Sequence, residues 1–271
     1  MPALFQHWEY VRLERISMEQ KYVLTERDGS VCTLSLNRPD KLNAVNARLI
    51  DELCAALTAV NNDKAIKVII VKGEGRAFCA GADLENSNLS IGTNEVKARA
   101  EVERVQEVTR QLLYSDKIVI GAIHGWAVGA GLEWAINCDF PIWAQGTQGF
   151  FPEAKWGLSV TGAVTTLLPA LVGPMKAREL ILLGEKHNAD DFYRLGIAWK
   201  VVPDEQLASE VAALAEKLAA LHFRSIADLK RGINLGSYAD IEKALAYETE
   251  IYVSSIQDPQ TAENIKQFSE D

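Results

Sequence analysis

Glu133 and Glu153 stand twenty residues apart, each at the edge of an apolar segment. Glu133 lies within Gly131-Leu132-Glu133-Trp134-Ala135-Ile136, and Glu153 follows Phe150-Phe151-Pro152. A carboxylate in such company needs a reason, because burial without a partner is costly. Burial disfavours the charged form and moves the pKa toward the range where protons are exchanged near neutral pH. Proton transfer is therefore the chemistry these two residues suggest. The turn Gly129-Ala130-Gly131 opens a helix ahead of Glu133, and the first N–H groups of a helix have no partner within it. A second turn, Ala77-Phe78-Cys79-Ala80-Gly81-Ala82-Asp83, follows the apolar strand Val68-Ile69-Ile70-Val71. Two such strand-to-helix turns can aim backbone donors at one oxygen and stabilise negative charge developing there.

The elements that must position these groups are readable from periodicity. Tyr22 to Arg27 and Val31 to Leu36 form a strand pair across the tight Asp28-Gly29 turn. Leu49, Leu53, Ala56, Leu57 and Val60 recur at three- and four-residue steps, giving an amphipathic helix. A strand over 66–71 precedes a polar, Gly/Ser/Asn-rich loop at 85–95, which we expect to be mobile, and a long helix over 96–114 follows it. Strand, turn and helix then run from Ile118 to Asn137, and another strand covers 139–144. Beyond Val164 the chain reads as helix over about 162–172 and 175–183, a cap at Asn188-Ala189-Asp190-Asp191, and a strand over 198–202. The final block, with helices at about 204–221, 223–235, 239–255 and 258–269, is rich in Ala and Leu with charged outer faces. It has no strands, so its apolar stripes require either the core or another subunit.

Composition narrows the function classes. A chain of 271 residues with 48% hydrophobic content has the make-up of a globular protein, and 37 acidic against 28 basic residues give a net charge of −9. That sign disfavours nucleic acid and anionic membrane as partners. Cys32, Cys54, Cys79 and Cys138 are scattered among apolar neighbours without ligand spacing, and His7, His124, His187 and His222 are equally dispersed, so we expect no metal site. The first twenty residues lack the apolar core of a signal peptide and no segment approaches a membrane span, so a reduced, cytoplasmic setting is expected. Neither GxGxxG nor GxxxxGK occurs, and Ser159 lacks the glycine that a nucleophile elbow places after the serine.

Three motifs in order, Ala77 to Leu84, Gly129-Ala130-Gly131-Leu132-Glu133 with Cys138-Asp139 after it, and Phe151-Pro152-Glu153, resemble the crotonase superfamily and specifically its enoyl-CoA hydratases. The resemblance covers about residues 20 to 268. It implies an α/β fold, a crotonase-like spiral of repeated ββα units with a C-terminal helical trimerisation region, and assembly as a homotrimer or a dimer of trimers. On that basis residues 1–20 are an N-terminal extension, 21–203 the spiral core and 204–271 the C-terminal helical region. By the same resemblance Glu133 and Glu153 are catalytic, and Ala82 and Ala130 form an oxyanion hole. Lys41, Ala80, Asp83, Leu84, Trp156 and Thr161 contact the substrate, an acyl-CoA thioester, and no separate cofactor is needed. The implied reaction is hydration of a 2-enoyl-CoA; isomerisation, or a specialised acyl-CoA hydratase or lyase step, is the alternative. A non-catalytic scaffold would call for a basic face, against which the acidic composition argues. Two departures bear on this reading. Val160-Thr161-Gly162-Ala163-Val164-Thr165 stands where many hydratases carry Pro-Gly-Ala-Gly-Gly-Thr, so Thr161 replaces a glycine, and the usual basic tail after the last Phe is absent, with Lys266 a weak substitute.

Overall fold

Alternating apolar strands and amphipathic helices can bury their faces only by layering, and this chain does so around two sheets. The structure, a computed structural model, describes residues 21–84, 94–238 and 240–270. The N-terminal extension and nearly all of the polar loop lie outside the described residues. In the larger sheet the hairpin β1 (Val23–Asp28) and β2 (Val31–Leu36) is followed by β3 (Val68–Gly73), β4 (Ile118–Ile123), β6 (Phe140–Ala144) and β9 (Lys200–Val202) in spatial order. Only β1 is antiparallel to its neighbour; the other pairings are parallel. Every residue of β4 is buried, as a parallel strand covered on both faces requires. The smaller sheet holds β5 (Trp126–Val128), β7 (Gln148–Phe150) and the short antiparallel β8 (His187–Asn188).

The smaller sheet is continued by single bridges, Cys79 to Ala127 and Val45 to Ala82. The same sequence of events therefore repeats. A strand of the large sheet leads to an extended piece beside the small sheet, and a helix follows. After β2 comes Val45 and then α1 (Ala47–Asn62); after β3 come Cys79 and Ala82, and later α2 (Glu95–Leu113). Next, β4 and β5 lead into α3 (Ala130–Asn137), and β6 and β7 lead into α4 (Glu153–Trp156). Glu133 and Glu153 fall on the helices of the last two units. This is the expected spiral of ββα units.

The main core packs Leu49, Leu53 and Leu57 of α1, Leu112 of α2 and Leu132 of α3 against Leu34, Ile69 and Val119 of the large sheet. The other face of that sheet is covered by α8 (Leu207–Ala219) through Leu207, Val211, Ala215 and Leu218. Between these, α5 (Val164–Val172), α6 (Pro174–Arg178) and α7 (Ala189–Arg194) close one end, and a capping box between Asn188 and Asp191 starts α7. After α9 (Phe223–Ser237), α10 (Ile241–Gln257) sets Leu245 into the main core and Tyr252, Val253 and Ile256 against Ala98 and Val102 of α2, and α11 (Pro259–Glu270) follows. The C-terminal apolar stripes thus have mixed fates: those of α8 and α10 meet the core, whereas Leu229, Ile233 and Leu235 of α9 are exposed.

Several boundaries differ from the sequence reading for identifiable reasons. The strand expected from residue 139 begins at Phe140, because the Asp139 carboxylate accepts from Val119 N–H and from Lys230 Nζ, each at 2.7 Å. The helix expected from residue 162 begins at Val164, since Ala163 adopts a left-handed φ of 61°. The helix expected over 175–183 is α6 followed by a wider π-type turn at Glu179–Leu183, and the strand expected from residue 198 is confined to Lys200–Val202.

Candidate active site

A cavity of about 540 Å³ opens between the start of α1, the face of α2, the turn ahead of α3, and the segment from Pro152 to Thr161. Ala80, Ala82, Ala130, Glu133, Glu153, Trp156 and Thr161 all line it. The remaining wall is largely apolar and includes Ile50, Val102, Val105, Leu158 and Tyr252, residues the sequence reading did not assign to the site. Helical spacing alone marks Val102 and Val105 as core; only the packing of α2 across the cavity exposes their second role.

The two turns are brought together by backbone pairing. Cys79 N–H donates to Trp126 O and Val128 N–H donates to Cys79 O, both at 3.0 Å, so the stretch ending at Ala82 runs beside the stretch ending at Ala130. On the outer side Val45 N–H donates to Gly81 O and Asp83 N–H donates to Val45 O. These bonds leave the N–H groups of Ala82 and Ala130 without a hydrogen-bond partner among the described residues, and both residues face the cavity. Ala130 is the first residue of α3, where an unpaired N–H and the helix dipole both favour negative charge. Gly129, with a φ of 50°, makes the turn possible. A β-carbon there would stand 2.5 Å from Glu153 Oε1.

Glu133 is 1% exposed, and both of its oxygens accept from one residue: Oε1 from Thr161 N–H at 2.8 Å and Oε2 from the Thr161 hydroxyl at 3.0 Å. Burial raises its pKa from 4.5 to about 7; the Thr161 hydrogen bonds oppose the rise, and the charge of Glu248 adds to it. Glu153 is half-buried as a residue, yet its Oε2 is sealed and has no hydrogen-bond partner among the described residues. Burial, followed by repulsion from Glu133, holds its carboxyl well above the ordinary carboxylate range. Neither glutamate has an ion pair among the described residues.

Other expected contact residues lie outside the cavity lining. Lys41 ends a short 3-10 turn, Pro39–Lys41, and is exposed. Asp83 is buried in an ion pair with Arg38 Nη2 at 2.8 Å, which braces the turn carrying Ala82 from behind. Leu84 is half-buried at the last described position before the polar loop. A further buried carboxylate, Glu248 of α10, accepts from Ala163 N–H, Thr165 N–H and the Thr165 hydroxyl. Its spacing, three residues after Leu245 and four before Tyr252, puts it on the apolar stripe of α10, off which the exposed Glu250 lies; the sequence reading did not single it out. Among the described residues no group of three or more His, Cys, Asp or Glu is placed to hold a metal ion, and no helix is long and apolar enough to cross a membrane.

A model of the enoyl-CoA hydratase/isomerase family matches residues 26–271. A crotonyl-CoA hydratase of Syntrophomonas wolfei is 34% identical over 87% of this chain and 90% of its own length. A 1,2-epoxyphenylacetyl-CoA isomerase of Escherichia coli is 33% identical over 84% and 87%. Among solved structures, an enoyl-CoA hydratase from Bacillus anthracis superimposes with a TM-score of 0.75 at 30% identity, covering 92% of this chain and 96% of that one. The repeated ββα units, the paired turns and the match over nearly the whole chain agree: the chain belongs to the enoyl-CoA hydratase/isomerase family of the crotonase superfamily.

Proposed function

We propose that the protein is an enoyl-CoA hydratase that adds water across the C2–C3 double bond of a 2-enoyl-CoA, using Glu133 and Glu153 as its acid–base pair. The observation that carries this reading is the pair itself: two carboxylates in one cavity, neither paired with a cation among the described residues, beside two backbone donors that have no partner among them. The thioester oxygen sits between the N–H groups of Ala82 and Ala130. As the enolate forms, each donor stabilises the developing charge by about 3 kcal/mol. Both carboxylates hold the attacking water. Glu133, whose pKa near 7 leaves it substantially ionised at neutral pH, takes one proton as the water oxygen bonds to C3. Glu153, whose surroundings keep it protonated, gives its proton to C2. The product gains one water, and transfer of a proton from Glu133 back to Glu153 resets the pair.

Thr161 favours a second reading, double-bond isomerisation, because it already engages both oxygens of Glu133 and leaves Glu153 with the unpartnered one. Hydration stays preferred because each carboxylate oxygen accepts two hydrogen bonds, so Glu133 keeps capacity for a water. The largely apolar wall formed by Ile50, Val102, Val105, Leu158 and Tyr252 suits an acyl chain. The exposed Leu229, Ile233 and Leu235 of α9 support assembly of residues 204–271 against other copies, as a homotrimer or a dimer of trimers. Four free cysteines support a reducing, cytoplasmic setting.

The test is loss of enoyl-thioester absorbance when the protein meets crotonyl-CoA and a panel of longer and branched enoyl-CoAs, with product mass recorded. Gain of one water is expected. A shifted double bond at unchanged mass would establish the isomerase, and binding without reaction would overturn both.

A further inference from the structure

Glu248 is fully buried, and nothing in the hydration scheme uses it. It comes from α10, 85 residues beyond Ala163, and its carboxylate accepts three hydrogen bonds from one short piece of chain. Oε2 accepts from Ala163 N–H at 2.8 Å; Oε1 accepts from Thr165 N–H at 2.9 Å and from the Thr165 hydroxyl at 2.7 Å. That piece begins α5, which has no capping side chain of its own, so Glu248 does the capping from a distant helix. It also holds Ala163 in the left-handed region, where a non-glycine residue is strained.

The other end of the same strap is Thr161, whose N–H and hydroxyl bind both Glu133 oxygens. Between the two ends, Gly162 O accepts from Asn137 Nδ2 at 3.1 Å. A β-carbon on Gly162 would stand 2.7 Å from Glu133 Cβ and 2.9 Å from its Oε2, so the strap lies directly against the carboxylate. Thr161 to Thr165 thus hangs between two buried glutamates and has no slack at its centre. We propose that Glu248 is a positioning residue: it fixes the strap so that Thr161 presents its N–H and hydroxyl to Glu133, and thereby sets the orientation of the base that activates water. The proposal rests on the assignment of Glu133 as that base.

Glu248→Gln tests it. A glutamine must turn its NH2 toward either Ala163 N–H or the two Thr165 donors, so one end of the clamp becomes donor facing donor. The expected result is a kcat lowered about 10- to 100-fold with KM changed less than about threefold, because the lost orientation matters at the transition state. In a Glu133→Gln background the same change should cost less than about twofold, since the two act as one unit. A kcat within twofold of the parent, a rise in KM alone, or additive losses would overturn the proposal. If Glu248→Gln does not fold cooperatively by circular dichroism, Thr165→Val decides instead. It removes one donor to the carboxylate and should lower kcat about threefold or more at constant KM, and an unchanged kcat would overturn the idea. Parent-like activity in Glu133→Gln alone would instead remove the assignment on which the proposal stands.

Discussion

Asp139 on one side and Glu133 with Glu153 on the other are carboxylates taken largely out of water, and they are treated in opposite ways. Asp139 is met by the Lys230 ammonium at 2.7 Å, and that lysine also donates to Leu112 O and Lys117 O. Burial still raises the Asp139 pKa, but Lys230 and the Val119 N–H work against the rise. Glu133 and Glu153 have no ion pair among the described residues, and the charges that act on them, Glu248 on Glu133 and Glu133 on Glu153, are carboxylates that raise their pKa further. The first arrangement ties α9 to the start of β6. The second keeps protons available near neutral pH, at a cost to the fold.

The comparison predicts unequal consequences for substitution. Glu133→Gln and Glu153→Gln should each lower kcat by about 10²- to 10⁴-fold while CoA-ester binding persists, as steady-state kinetics and calorimetric titration would show. Parent-like turnover in either variant would remove that residue from the acid–base pair. Lys230→Met should have the converse profile: a loss of about 1–3 kcal/mol of folding stability in urea, because the half-buried Asp139 loses its cation and keeps only the Val119 N–H, with kcat per folded molecule close to the parent value. A catalytic loss there without destabilisation would dissolve the distinction between the two sites.

The pH dependence sharpens it further. A carboxyl whose pKa is raised on folding binds its proton more tightly in the native state, so its contribution to stability falls as pH rises from the unfolded value to the folded one. For Glu133, raised from 4.5 to about 7, that window destabilises the protein by up to about 3 kcal/mol at pH 8. Glutamine fits the same place, accepting from Thr161 N–H and donating to the Thr161 hydroxyl. Glu133→Gln should therefore melt higher than the parent at pH 8, with the gap closing toward pH 5. In the parent, kcat should fall below about pH 7 as Glu133 gains its proton. The smallest effect is expected from Thr161→Val, which removes a hydroxyl donor that holds the Glu133 pKa down. Its acid limb should move to higher pH, with a loss of about tenfold or less at pH 8.

Legibility in the sequence follows the same division. Glu133 and Glu153 were readable because each charge interrupts an apolar run, and the two turns because a strand meets a helix across glycine or alanine. The alternation of strand and helix marked an α/β chain, and the spiral itself was an implication of the family resemblance. Glu248 was legible only in part: its spacing from Ile241, Leu245 and Tyr252 sets it on the buried stripe of α10, but nothing in the sequence shows that it meets the strap there. Lys41 and Asp83 show the reverse limit. The family resemblance placed both at the substrate, Asp83 within a quoted motif, yet neither lines the cavity, and Asp83 pairs with Arg38. Nor does the sequence display that Gly162 must stay bare, because the close approach is created by a helix thirty residues earlier.

The long reach of Glu248 has a consequence for synthesis. Ala163 and its acceptor are 85 residues apart, so a chain emerging from the ribosome carries both cavity glutamates well before the clamp that holds the strap between Thr161 and Thr165 exists. Translation of α10 is then the step that completes the pocket, because the same helix brings both Glu248 and the lining residue Tyr252.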